Sequence, residues 1–264
     1  MAGPTTAERG ERQQESSGPP LARRLRRLRL RTIVILAVLL LLLGAGGTWV
    51  LYGSSWLRVR HVSVSGTLVL SPAEVLDAAD VPVGAPMISV DTEGIEARLR
   101  RKLPRIDTVD VVRSWPQGIG LKVTERTPVL LLRKSGDFVE VDHEGVRFAT
   151  VSQAPKGVPA LELSVSRTGS GAASFRRFGT DRLVREAVRV AGALPAAVAG
   201  QTRTVQVRSY DDISLELAGG RTVAWGSSEN GRAKARTLAA LMKAAPGARH
   251  FDVSVPTAPA SSGS

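Results

Sequence analysis

The side chains that could perform chemistry are few and lie far apart along the chain. There are three histidines, His61, His143 and His250, and no cysteine, which excludes thiolate chemistry and disulfides. The segment Asp142-His143-Glu144 could bind a metal or exchange protons. Gly145 follows it, however, and Asp and Gly are favoured in turns for backbone reasons. We therefore predict a turn here rather than a catalytic or metal site.

A second candidate is Gly226-Ser227-Ser228, which precedes a predicted helix. Such a segment could hold a phosphate at the helix N-terminus. The lysine pattern of nucleotide-binding loops is missing, so we predict a plain helix cap. The sequence also lacks the G-x-S-x-G, H-E-x-x-H and S-x-x-K motifs of hydrolases. We predict a protein that is not an enzyme, with no cofactor, no metal and no small-molecule substrate.

One apolar segment, residues 32–52, determines on which side of a membrane the rest of the chain would lie. It carries no charge, and as a helix it would span about 31 Å, the thickness of a bilayer's hydrocarbon core. Six arginines lie just before it: Arg23, Arg24, Arg26, Arg27, Arg29 and Arg31. Arginine excess marks the cytoplasmic side of a membrane helix. We predict a single-pass cell-membrane protein with a disordered, basic cytoplasmic tail at 1–31 and extracytoplasmic domains after residue 52.

The alternative is a cleaved secretory signal. Residues 33–43 have the length of a signal core, and Gly44-Ala45-Gly46-Gly47 resembles a small-residue cleavage site. The apolar segment nevertheless continues to Tyr52, and its 31 preceding residues are long for a signal's basic region, so an uncleaved anchor is favoured. The net charge of +12 would suit nucleic acid, but export favours an anionic lipid or cell-wall polymer instead.

Residues 53–126 have the pattern of one compact unit. A strand that alternates through Val62 and Val64 is followed by Ser71-Pro72-Ala73-Glu74, which has the residues of a capping box with proline at the first helical position. A second helix is predicted from Asp91 or Thr92 to Pro104, and two strands flank a turn at Trp115-Pro116. The order is β-α-α-β-β, with two helices on one face of a three-stranded sheet.

Two motifs in this unit carry a family resemblance. They are R-x-W-P at residues 113–116 and V-x-E-R-x-P at residues 123–128. With a strand close after a membrane anchor, they make the unit similar to a POTRA domain, and more narrowly to the FtsQ/DivIB family of bacterial cell-division proteins. Two further motifs of that family match, F-x-x-V-D-x-x-G-x-x-F at residues 138–148 and a closing pattern through Gly220, Val223, Gly226, Lys234, Leu238, Phe251 and Asp252.

Residues 127–255 form a second, β-rich domain in this interpretation, which makes the fold class α+β. Strands are expected at 129–132, 138–142, 146–151, 204–208, 213–217, 222–225 and 249–255, and helices at 181–199 and 229–245. The Ser/Gly-rich residues 163–174 suggest a mobile loop, and residues 256–264 a flexible tail.

The candidate binding site is the last predicted strand: Arg249, His250, Phe251, Asp252, Val253, Ser254 and Val255. At a sheet edge it would offer free N–H and C=O groups to a partner strand, whereas in the sheet interior it would be core. The resemblance implies a scaffold at the division septum that recruits FtsB/DivIC-like and FtsL-like proteins through this end. On that view, a charge at Phe251 or Val253 should abolish binding without unfolding the domain.

Two other functions remain open at this point. A polypeptide-binding POTRA protein of a transport system would share the first unit, although such proteins usually carry several POTRA units and a membrane β-barrel. An anchored wall hydrolase would need catalytic residues, for which Asp142 and Glu144 are the available pair.

Overall fold

The computed structural model describes residues 21–164 and 169–263. Helix α1, Leu21–Gly53, includes residues 31–53, which are long and apolar enough to cross a membrane and have a mean hydropathy of 2.5. It is the one such helix among the described residues. The helix was predicted to begin at residue 32 but begins eleven residues earlier. The part of the predicted tail at 21–31 is therefore helical. The disorder predicted for residues 1–20 lies outside the described residues.

The first sheet has three strands in the order β1-β3-β2. They are β1 at His61–Ser65, β2 at Ile106–Ser114 and β3 at Gly118–Glu125. Strand β1 runs parallel to β3, and β2 runs antiparallel to it. Helices α2, Pro72–Ala79, and α3, Thr92–Lys102, share a hydrophobic core with this sheet. The predicted β-α-α-β-β order is observed.

Local capping explains where the two helices begin. The Ser71 hydroxyl accepts a hydrogen bond from the Glu74 N–H (3.2 Å), and the Glu74 carboxylate accepts one from the Ser71 N–H (2.8 Å). The Asp91 carboxylate accepts from the Gly94 N–H at the start of α3 (3.0 Å). Each bond satisfies a backbone donor that the first turn of a helix leaves free.

The second sheet has nine strands in the order β12-β11-β10-β9-β8-β7-β4-β5-β6. The strands are β4 Leu130–Lys134, β5 Asp137–Val141, β6 Arg147–Val151, β7 Ala160–Leu163, β8 Thr202–Val207, β9 Ile213–Leu217, β10 Thr222–Gly226, β11 His250–Asp252 and β12 Ala260–Ser262. The helices are α4 Gly169–Ala193, α5 Ala196–Ala199 and α6 Gly231–Ala244. Their apolar residues join the sheet in a core separate from that of the first sheet.

The prediction of a mobile loop over residues 163–174 is wrong at both ends of that range. Residues 160–163 form β7, which lies between β8 and β4, and Leu161 is buried there. Helix α4 already begins at Gly169 and is interrupted at Gly179, where φ is 71° and ψ is 165°. A strand of four residues has too few alternations to be recognised, and the Ser/Gly composition that followed it favoured a loop. Residues 165–168 lie outside the described residues.

The C-terminal segment also differs from its prediction. The strand expected over 249–255 is three residues long, and the supposed tail contains β12, which pairs antiparallel with β11. The Arg249 N–H lies 3.1 Å from the Ser262 carbonyl and 2.8 Å from the Gly263 carbonyl. All three residues of β12 are exposed, so backbone pairing rather than a hydrophobic pattern holds this strand.

Candidate protein-interaction site

The candidate site lies at one end of the nine-stranded sheet, one strand in from the edge. Strand β11 pairs in parallel with β10 through Val223↔Phe251 and antiparallel with β12 through Phe251↔Ser261. Its backbone is therefore occupied on both sides, and the edge that the sequence assigned to residues 249–255 belongs to β12. Any partner strand that extends this sheet must pair with β12 or replace it.

The seven candidate side chains divide into two groups. Phe251 and Val253 are buried in the core, so the expectation that charges there would spare the fold is wrong. Arg249, His250, Asp252 and Val255 are exposed, and Ser254 is half-buried. The exposed members remain a prediction as binding residues.

A shallow groove of about 300 Å³ lies along β10, β11 and β12. On its surface the His250 ring nitrogen Nδ1 lies 2.7 Å from the Thr222 hydroxyl. The Asp252 carboxylate accepts hydrogen bonds from the Ser254 N–H (2.9 Å) and hydroxyl (2.7 Å). These contacts hold the exposed side chains in place, so the groove offers a partner a defined polar surface.

Behind the groove lies a buried cation, Lys234 of α6. Its Nζ donates to the carbonyls of Trp225 and Ser227, both at 2.9 Å, at the end of β10. Burial lowers the pKa of Lys234, although the negative charges of Glu229, Asp211 and Asp252 act in the opposite direction. In the sequence, Lys234 lies in a family motif and within the predicted helix at 229–245, but no pattern in the sequence indicated these two bonds.

The Gly226-Ser227-Ser228 segment does not cap α6, contrary to its prediction. The Ser227 carbonyl accepts from Lys234, and the Ser228 hydroxyl donates to the buried carboxylate of Glu186 in α4. Arg189 also contacts Glu186, at 2.9 Å. The segment therefore ties the loop before α6 to α4. In the sequence, Glu186 lies among the apolar residues of α4. A single acidic residue among apolar ones is a signal that could have shown that Glu186 is buried and has a polar partner.

The segment Asp142-His143-Glu144 forms the predicted turn, closed by the Gly145 N–H to the Asp142 carbonyl (3.1 Å). One oxygen of the fully buried Asp142 carboxylate accepts from the backbone N–H groups of Glu144 (2.9 Å) and Val146 (2.8 Å). Its other oxygen pairs with the Arg126 guanidinium. The carboxylate is thus committed to structure, and His143 is exposed beside it. No group of three or more potential metal ligands occurs in the described part of the chain.

Two arginines that flank the first sheet form the junction with the second sheet. Partial burial opposes ionisation of Arg126, but bonds and charges from Asp142, Glu144 and Asp107 outweigh it and raise the pKa of Arg126. Arg105 pairs with the buried Glu140 at 2.6 Å. Its guanidinium also lies 5.2 Å from the centre of the Phe148 ring.

This junction joins residues of two separate sequence motifs. Arg126 belongs to V-x-E-R-x-P, whereas Asp142 and Phe148 belong to F-x-x-V-D-x-x-G-x-x-F. The sequence showed both motifs but not that their residues meet. Arg105 and Glu140 were missed altogether, although an acid within the apolar strand Phe138-Val139-Glu140-Val141 signals a buried partner.

Comparisons with known proteins find matches to the first unit and to the whole chain. The family model "POTRA domain, FtsQ-type" matches residues 57–126. The cell division protein FtsQ of Streptomyces collinus is 80% identical over 264 residues, with 100% of both chains covered. FtsQ of Streptomyces coelicolor is 74% identical over 264 residues, again with 100% of both covered. FtsQ of Streptomyces venezuelae is 56% identical over 275 residues, covering 100% of this chain and 99% of the relative.

Among solved structures, the major extracytoplasmic domain of the division protein DivIB from Geobacillus stearothermophilus aligns with 51% of this chain and 97% of its own. The TM-score is 0.30 and the identity 18%, a similarity too low to carry an argument.

The fold defines the class first: a single candidate membrane helix is followed by a POTRA unit and a β-rich unit with helices. The identities with full-length relatives then show that the chain belongs to the FtsQ/DivIB family of cell-division proteins. The family resemblance and the α+β fold class are confirmed. The chain is thus a division protein.

The junction predicts that Asp142→Ala is strongly destabilising. It leaves the Arg126 charge partly buried without its main partner and removes the acceptor of two backbone N–H groups, so we expect a loss of about 3–5 kcal/mol. The free energy of unfolding of the full chain in detergent, measured by urea titration, checks this. Glu144→Gln is the matched control, since the exposed Glu144 contacts the same guanidinium at 3.4 Å. Equal losses in the two variants would contradict a special role for Asp142.

The buried lysine predicts a pH dependence of stability. Because burial lowers the folded-state pKa of Lys234 below its ordinary value of 10.5, the unfolded chain binds more protons between those two values. The free energy of unfolding should therefore rise with pH across that window, and Lys234→Met should lose this part of the slope. Urea titrations of both proteins at a series of alkaline pH values measure the difference. Identical slopes would show that the folded and unfolded pKa values of Lys234 do not differ.

Proposed function

We propose that this chain is a non-enzymatic, membrane-anchored scaffold that recruits partner division proteins to the septum. Its partners on this proposal are FtsB/DivIC-like and FtsL-like proteins of the same cell. The observation that carries the proposal is the combination, in one chain, of a membrane-spanning type of helix with an unpaired sheet edge at β12. The names of the relatives, all cell division protein FtsQ, support the division role.

The topology of the proposal rests on charge. Six arginines precede the apolar part of α1, and the five residues after Gly53 contain one, Arg58. This asymmetry favours an N-terminus in the cytoplasm and both sheets outside the membrane. We treat residues 53–126 and 127–255 as two domains, because each sheet has a hydrophobic core of its own.

The proposed docking mode is addition of a partner strand to β12. Strands in a sheet are about 4.8 Å apart, so the added strand would lie about 9.6 Å from β11. Arg249, His250 and Asp252 are exposed one strand in from this edge, although the His250 ring is bonded to Thr222 of β10, on the side away from β12. Strand pairing of this length gives modest affinity, but two proteins held in one membrane meet at high effective concentration.

The proposal predicts mid-cell localisation. A fluorescent protein fused to the N-terminus of the full chain should concentrate at division septa, and depletion of the chain should prevent FtsB/DivIC-like and FtsL-like proteins from gathering there. Fluorescence microscopy of dividing cells measures both. An even distribution around the cell membrane would contradict the division scaffold and favour a transport function.

The docking mode predicts that exposed, rather than buried, residues control partner binding. The double variant Arg249→Glu/His250→Glu should stay folded and lose co-purification with the partners, because it changes charge beside the docking edge while sparing the core. Arg203→Glu, an exposed position on β8 far from that edge, is the matched control. Deletion of residues 257–264, which removes β12, should weaken binding as well. Normal co-purification of both the double variant and the deletion would place the partner site elsewhere.

A further inference from the structure

Three loops lie together at one end of the POTRA unit, next to the end of the membrane helix. They are residues 54–60, 81–90 and 114–118, and hydrogen bonds join them. The Val59 N–H donates to the Ala85 carbonyl (2.9 Å), and the Gly84 N–H donates back to the Val59 carbonyl (2.8 Å). The Arg60 N–H donates to the Gln117 carbonyl (2.8 Å), and the Gln117 side chain to the Trp56 carbonyl (3.2 Å).

Each of these loops exposes a large apolar side chain. Trp56 is 65% exposed, Val83 is 68% exposed and Trp115 is 51% exposed, and Ile88 adds a fourth, partly exposed apolar surface. These four side chains lie outside the core of the unit, to which the same loops contribute the fully buried Val59 and Met87. A cluster of surplus apolar side chains on one end of a domain marks an interaction surface.

The connection to the membrane helix limits what can lie against this surface. Five residues separate Gly53 at the end of α1 from Val59, which is fully buried in the unit. Even fully extended, that connection reaches about 20 Å, and the 3-10 turn Ser55–Leu57 shortens it. Cα atoms of α1 lie within 8 Å of those of the turn Met87–Ser89. The loop end of the unit is therefore held at the level where the helix leaves the bilayer.

The charges at this end favour an apolar contact over an ionic one. The Arg58 guanidinium donates to the Gly84 carbonyl (2.8 Å), and Arg113 donates to the carbonyls of Met87 (3.1 Å) and Val90 (2.6 Å). Arg58 and Arg113 fix the loops, and the exposed Arg60 adds a third positive charge, which Asp80 and Asp91 largely offset at the same end. No strong excess of either sign is left to select a charged partner.

From these observations we infer a lipid-docking face on the POTRA unit: Trp56, Val83, Ile88 and Trp115 insert into the headgroup layer of the membrane that α1 spans. Tryptophan prefers that layer because its ring is apolar and its N–H is polar. Four apolar contacts in addition to the helix fix the unit's tilt on the bilayer, so the unit rests on the membrane instead of swinging from its tether. The inference does not depend on which face of the membrane the unit occupies.

The absence of cysteine in the chain makes a direct test possible. The full chain is placed in phosphatidylcholine nanodiscs, which leave both membrane faces open to solvent, with one fluorophore on Val83→Cys or on Leu68→Cys. Leu68 is the matched control: it is 90% exposed, and the Glu125 carboxylate holds its loop by the Leu68 N–H (2.7 Å) at the opposite end of β1 and β3.

The Val83 probe should be quenched by a headgroup-attached nitroxide lipid and protected from iodide in solution, and the Leu68 probe should show the reverse. Adding Trp115→Ser should remove most of the lipid quenching at Val83, whereas Trp115→Phe should retain it, and added salt should leave it unchanged. Iodide access at Val83 equal to that at Leu68 would overturn the proposal. So would protection from iodide without lipid quenching, which would indicate that a protein covers this face.

Discussion

The junction between the two sheets depends on one buried carboxylate, that of Asp142. Moving a carboxylate out of water costs several kcal/mol, so the burial is tolerated only because every part of the group finds a partner. Two backbone N–H groups satisfy one oxygen, and Arg126 satisfies the other. Arg126 in turn begins the segment that leads from the first sheet into the second, and its N–H donates to the Arg105 carbonyl (2.8 Å). A single bonded network thus fixes the turn after β5, the exit from β3 and the start of β2.

The same network explains why the Asp142-His143-Glu144 segment has the composition of a chemical site without the properties of one. A catalytic acid or base needs a proton to exchange and a cavity for its substrate. Asp142 is instead buried against a guanidinium, and His143, which lines a cavity of about 450 Å³, has no part in that network. The pair Arg105–Glu140 repeats the arrangement two residues earlier along the chain, in β5, with Phe148 beneath the guanidinium. The charged side chains at this junction therefore serve to orient the two sheets.

Local signals in the sequence were sufficient for the first unit and insufficient for the ends of the second. The capping box at Ser71 and the start of the second helix at Asp91 depend on a few neighbouring residues, and the structure has both. Strands β7 and β12 are short and form by pairing with strands that are distant in the chain, so no local sequence pattern predicts them. The candidate site suffered from the same limit, because whether residues 249–255 lie at an edge depends on β12. Likewise, two motifs could be recognised separately while the contact between Arg126 and Asp142 could not.

Strand β12 forms an edge of the nine-stranded sheet, and its sequence makes this edge a weak surface for pairing with other strands. A long apolar edge strand would pair with any exposed strand and promote aggregation, which proteins avoid with short and polar edges. Ala260-Ser261-Ser262 is three residues long, fully exposed and without an apolar face. Such an edge selects poorly for a partner in free solution, where few bonds must offset the entropy of association. In the proposed docking mode, α1 holds this edge beside a membrane, and confinement with a partner anchored in the same bilayer would supply the concentration that the short strand cannot. On that proposal, the membrane helix makes the weak edge sufficient for binding, and the short polar edge limits pairing with other exposed strands.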